Sequence, residues 1–208
     1  YTITLAIGEP YGMRGDKAIA AGDASNGNGK IYRHDRLGLF NAVGGSAKIN
    51  DLVLDGAMNF DNGVAVDAGA LAATLSGDAT LSGVTCKTAI ICDDTFGNDV
   101  NVGGISGSMT GAGTVSFGNG TKAQTVISTG SQIKSTMRIG GSTGYVGDVA
   151  STFNVTSLEV GGSITAADCA SGKIAQVGGF IGCIAQGTAA NTTNVSITGL
   201  SFDSFAMT

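Results

Sequence analysis

At 208 residues, with 42% hydrophobic side chains and a mean hydropathy of +0.24, the chain can close one sizeable core, and intrinsic disorder is excluded. Charged residues are only 13%, beside 35 Gly and a single Pro, so the surface must be built of Ser, Thr, Asn and Gly rather than the Glu and Lys pairs of exposed helices. A net charge of −5 provides no positive field for a phosphate backbone, and no run of 18 apolar residues is present, which sets aside nucleic acid as a partner and a membrane-spanning helix.

The first predicted element is a strand over Tyr1 to Ile7, which alternates Thr with apolar residues. A chain that opens inside a strand is expected to be a processed or excised part of a longer protein. Residues 1–36 read as this strand followed by an irregular capping region, and residues 37–208 as the repeat region. In the first part, Arg14-Gly15-Asp16 forms an integrin-type tripeptide in a predicted loop between Gly12 and Gly22. The basic cluster Lys30, Arg33, His34 and Arg36 is interrupted by Asp35 and reads as a solvated loop. His34 is the chain's one histidine and has no serine nucleophile motif near it, so Ser-His-Asp chemistry is excluded.

From residue 37 the sequence repeats. An apolar residue followed by Gly or Gly-Gly recurs as Leu37-Gly38, Ala68-Gly69, Val102-Gly103-Gly104, Ile139-Gly140-Gly141 and Val177-Gly178-Gly179, at intervals of 31, 34, 37 and 38 residues. The last three copies add Gly107, Gly144 and Gly182, then apolar Met109, Val146 and Ile184 seven residues after the start; Leu75 fills that place in the second copy, and Val43 comes one position early in the first. Alternating runs follow at Ala47 to Leu54, Ala79 to Cys86, Thr114 to Phe117, Phe153 to Val160 and Asn194 to Leu200. Each unit thus reads as two or three short strands with Gly, Asn, Asp and Ser corners. About five such units predict an all-β, right-handed parallel β-helix, a solenoid in which each coil shelters the apolar face of the next. Asp61 to Gly63, Asp93 to Asp99 and Thr121 to Thr136 are the predicted loops bulging from the stack.

The anchor glycines read as structural. They either take φ > 0 or admit a close neighbouring backbone, and they open strands five times over, whereas a phosphate loop opens one helix once. Cys86, Cys92, Cys169 and Cys183 allow two disulfides with three connectivities, or act as small buried hydrophobes. Asp93, Asp94, Asn98 and Asp99 offer oxygen ligands of the calcium type, though not at EF-hand spacing; no other cofactor is expected. Asp93-Asp94 is the one adjacent acidic pair a polysaccharide-cleaving site could use, and it lacks basic neighbours.

The anchors, above all Val177-Gly178-Gly179-Phe180-Ile181-Gly182 and Val102-Gly103-Gly104-Ile105-Ser106-Gly107, resemble the GLUG-motif repeats of bacterial surface proteins, found near immunoglobulin A protease domains and in adhesin-like proteins. The resemblance runs from about Leu37 to the C-terminus. It departs where the first two copies lack the second Gly and where Ser142-Thr143 replaces an apolar pair. It implies a β-helical stalk on a cell surface or in secretion, and no catalytic residue. The expected function is therefore structural and adhesive, displaying loops to a host glycan or surface protein as part of a larger parent chain. A polysaccharide-binding or polysaccharide-cleaving β-helix and a self-assembling filament or surface layer are the alternatives.

Overall fold

The computed structural model describes residues 2–7, 36–61, 65–94, 97–147, 151–185 and 193–208. Among them are 22 strands and no helix. β1 (Thr2–Ile7) opens the fold. Coil 1 follows as β2 (Arg36–Leu37), β3 (Phe40–Val43), β4 (Lys48–Asn50) and β5 (Val53–Asp61), and coil 2 as β6 (Val66–Gly69), β7 (Ala72–Leu75), β8 (Thr80–Ser82), β9 (Thr85–Cys86) and β10 (Ala89–Asp93). Coil 3 is β11 (Val100–Gly103), β12 (Ser106–Met109), β13 (Gly113–Gly118) and β14 (Thr121–Thr129). Coil 4 is β15 (Thr136–Gly140), β16 (Thr143–Val146), β17 (Ser151–Val155) and β18 (Leu158–Thr165). Coil 5 is β19 (Ile174–Gly178), β20 (Ile181–Ile184), β21 (Asn194–Ile197) and β22 (Leu200–Met207).

Strands at the same place in successive coils pair in parallel and make four sheets: A (β1, β5, β9/β10, β14, β18, β22), B (β2, β6, β11, β15, β19), C (β3, β7, β12, β16, β20) and D (β4, β8, β13, β17, β21). This is a parallel β-helix, and its register follows the repeat. Leu37, Ala68, Val102, Ile139 and Val177 lie side by side in sheet B, and Val43, Leu75, Met109, Val146 and Ile184 in sheet C. Val43 falls one position early because coil 1 is one residue shorter between these two strands, yet it still meets Leu75.

Two expectations need correction. Each coil holds four strands, or five in coil 2 where the sheet A strand is split into β9 and β10, not two or three: the runs Ala47 to Leu54 and Phe153 to Val160 each cross a bend, at Asp51 and at Thr156-Ser157, so that one strand lies in sheet D and the next in sheet A. The Thr121 to Thr136 loop is for the most part β14, nine residues paired with β18 over eight rungs. Its inward positions are Thr121, Ala123, Thr125 and Ile127, all buried, so two hydroxyls hide the apolar alternation. Thr121 can sit inside because its Oγ1 donates to the carbonyls of Gly118 at 2.8 Å and Leu81 at 3.3 Å.

The anchor glycines are explained by close approach. Sheets B and C join through a two-residue turn and fold back so tightly that a Cβ on Gly140 would meet the Thr143 carbonyl, the Gly182 nitrogen at 2.7 Å and the Phe180 carbonyl at 2.8 Å. Gly144, from the second glycine row, would meet the Val102 nitrogen at 2.6 Å and carbonyl oxygen at 2.8 Å. Neither has positive φ. Backbone facing backbone is what both rows serve.

None of the four cysteines is bonded to another in this structure. Cys86 and Cys92 point into the core from sheet A, as small hydrophobes. Burial pushes the Cys86 thiol up from 9.0 to about 12. An alkylating reagent near neutral pH is therefore expected to label exposed Cys169 and to spare Cys86 until the chain unfolds, which peptide mass spectrometry would read. The unfolded thiol ionises near 9.0 and the folded one only near 12, so this group's contribution to stability is present below that window and declines as pH rises through it.

Candidate functional site

Arg14, Gly15, Asp16 and His34 lie outside the described residues. The acidic stretch after β10 is described except for residues 95–96, and it does not gather ligands. Asp94 is buried, and its Oδ2 accepts from the Lys134 nitrogen at 2.6 Å, the Ser135 nitrogen at 2.8 Å and the Ser135 Oγ at 2.7 Å, while Oδ1 accepts from the Gly97 nitrogen at 3.1 Å. Four donors aimed at one carboxylate staple the turn after β10 to the segment before β15, and they occupy the lone pairs a cation would use. Asp93 is exposed at the end of β10, Asn98 is half-buried, and Asp99 lies elsewhere, in the cleft described below. Among the described residues no three His, Cys, Asp or Glu side chains converge as metal ligands.

What the fold does bring together is a polar row that reading for glycines and apolar residues missed. The residue before each anchor, Arg36, Asp67, Asn101, Arg138 and Gln176, stacks in register across sheet B. Beside it, in sheet C, run Ala42, Thr74, Ser108, Tyr145 and Cys183. The two rows interlock. Asn101 Nδ2 donates to Asp67 Oδ1 at 2.7 Å, Ser108 Oγ donates to Asp67 Oδ2 at 2.8 Å, and Arg138 Nη1 donates to Asn101 Oδ1 at 3.1 Å. The hydroxyls of Thr74 and Ser108 are 3.3 Å apart, and the Arg138 guanidinium lies 5.1 Å from the centre of the Tyr145 ring.

At the coil 1 to coil 3 end of this row opens a cleft of about 180 Å³, lined by Arg36, Ala65, Val66, Asp67, Asp99 and Asn101. Asp99 is held there by the Thr136 nitrogen, which donates to its Oδ1 at 3.2 Å. The Nε of Arg138 is buried without a partner. The row therefore offers, rung after rung, a fixed series of cation, carboxylate, amide, cation and amide next to an aromatic ring. Hydroxyl-rich ligands suit such a series, since carboxylate and amide oxygens accept from hydroxyls while guanidinium and amide nitrogens donate to them. Aligning the repeats on their anchors puts these five residues in one column, and that is the sequence signal that could have found them. No family model matches the chain, and neither a curated protein nor a solved structure matches it.

Proposed function

We propose that this chain is a structural and adhesive β-helical segment working at a cell surface or in the extracellular space, and that the polar row with its cleft is where it holds an extended glycan. The observation that carries this reading is the in-register stacking of Arg36, Asp67, Asn101 and Arg138 on consecutive coils. Rungs of a parallel sheet repeat every ~4.8 Å, close to the step of one pyranose ring along an extended chain, so successive sugars meet successive rungs. The charge-poor surface and the resemblance of the anchors to GLUG repeats support the location.

Binding without cleavage is the better reading of the two carboxylates. Glycoside hydrolysis needs one carboxyl able to donate a proton and a second, free one on the other side of the bond. Asp67 spends both oxygens as acceptor, and Asp99 already accepts from the Thr136 nitrogen. Scaffold proteins commonly place recognition on a rigid frame.

The test is a glycan array with the intact chain, followed by titration of the best ligand. Asn101→Ala and Arg138→Ala are each expected to weaken binding about tenfold or more, the worth of one or two hydrogen bonds to a charged or amide group, while the melting temperature of the protein barely moves. An array without binders, a ligand shortened during incubation, or affinity indifferent to both substitutions would overturn the reading.

A further inference from the structure

Among the described residues two cations are half-buried, Lys122 and Arg138; the other Lys and Arg side chains are exposed. Lys122 is neutralised by Glu159, whose Oε1 lies 2.9 Å from its Nζ. Arg138 has no such carboxylate among the described residues. What meets its guanidinium is a neutral amide, with Asn101 Oδ1 at 3.1 Å from Nη1, and the Tyr145 ring, whose centre is 5.1 Å away. Its Nε is shut away from solvent without a hydrogen-bond partner.

A charge drawn out of water is normally paired, because an amide and a ring replace only part of the hydration it loses. The neighbouring acids of the row are already engaged. Asp67, on the far side of Asn101, accepts from Asn101 Nδ2 and Ser108 Oγ, and Asp99 accepts from the Thr136 nitrogen. The bond to Asn101 and the ring contact with Tyr145 hold the guanidinium in place on its rung. A fixed cation with no counter-charge, set in a row that reads as a glycan track, has the character of an oxyanion subsite.

We infer that the glycan is acidic, and that a carboxylate or sulfate ester on one of its sugars sits against the Nη end of Arg138. This rests on the glycan reading of the row and adds to it the charge of the ligand. The two sources share one chemistry, a pair of oxygens matched to the planar fork of a guanidinium. One acidic sugar suffices. The rungs on either side present the amides of Asn101 and Gln176, which suit the hydroxyls of neutral sugars. The protein's net charge of −5 draws no anion from a distance, so the preference comes from this contact and not from a general field.

A glycan array printed in matched pairs tests this: sialyllactose and sulfated lactose each against lactose, and aldotetraouronic acid against xylotriose, with longer members of each class. Within a pair that binds, the acidic member is expected to bind about tenfold or more tightly, the size of one charge-assisted contact. Arg138→Gln is expected to bring that ratio close to one. Tyr145→Leu, which releases the guanidinium without removing its charge, is expected to lower it. Far-UV circular dichroism and a cooperative melt show which variants remain folded, and either one alone suffices. Lys87→Gln removes the same charge from an exposed position beside sheet A and is expected to leave the ratio as it was.

Neutral members that bind as well as their acidic partners overturn the inference and leave the glycan reading standing. So does a preference that survives in folded Arg138→Gln, or one that Lys87→Gln lowers as much. An array without any binder overturns the glycan reading itself, and this inference with it.

Discussion

Gly140→Ala is expected to destabilise the protein by ~3 kcal/mol or more, the size reserved for a small set of disruptive mechanisms. A single methyl group is added. It would have to share space with the Thr143 carbonyl oxygen, the Gly182 nitrogen and the Phe180 carbonyl oxygen, and none of these can swing aside as a side-chain end could. They belong to strands or strand ends of two coils, so relief means prising sheet C from sheet B and stretching the hydrogen bonds that Ser142 and Thr143 donate to the Phe180 carbonyl, at 2.9 and 3.2 Å. Gly172→Ala is the control. Gly172 has φ +73 and nothing within reach of a new Cβ, so only the backbone preference is violated, at about 1 kcal/mol. Urea denaturation of both variants measures the difference. Equal losses at the two positions would mean that the anchors are glycine for conformation and not for close approach.

Phe153→Ala is expected to cost about 3–5 kcal/mol through the cavity it leaves. Phe153 is fully buried on sheet D in coil 4 and links three coils. Its ring meets that of Phe117 in coil 3 edge to face, at 4.8 Å and 84°, and stacks on that of Phe180 in coil 5, at 5.5 Å and 25°. Because the solenoid core is a column, emptying one level removes the partner of both neighbours. The double variant Phe117→Ala/Phe153→Ala is thus expected to lose less than the sum of the single losses, by ~0.5 kcal/mol or more. Thermal melts of the four proteins of this cycle give the coupling. A Phe153→Ala loss below about 1 kcal/mol would show that the column is not continuous there.

The candidate site shows where sequence reading stops short. Asp67, Asn101 and Arg138 are separated by 34 and 37 residues, and nothing local distinguishes them from other surface polar residues. Their relation exists only once coils stack in register, when Asn101 reaches Asp67 on one side and Arg138 on the other. Asp94 illustrates the converse. In sequence it is half of an acidic pair with the oxygen atoms of a calcium loop, yet its surroundings are backbone and hydroxyl donors brought from 40 and 41 residues away.

The fold class and the stacking columns, from Leu37 through Val177 and from Val43 through Ile184, are legible in the sequence, because a glycine forced by backbone contact and an apolar residue forced inward must recur in every coil. The rest is set by the stacked coils: a sheet in each of four positions per coil, Thr121 and Thr125 turned inward on β14, and the polar row of sheet B. The physical reason is the same in each case. A polar or small side chain is accepted inside or aligned outside according to what the next coil presents to it, and that neighbour lies a full turn of the solenoid away along the chain.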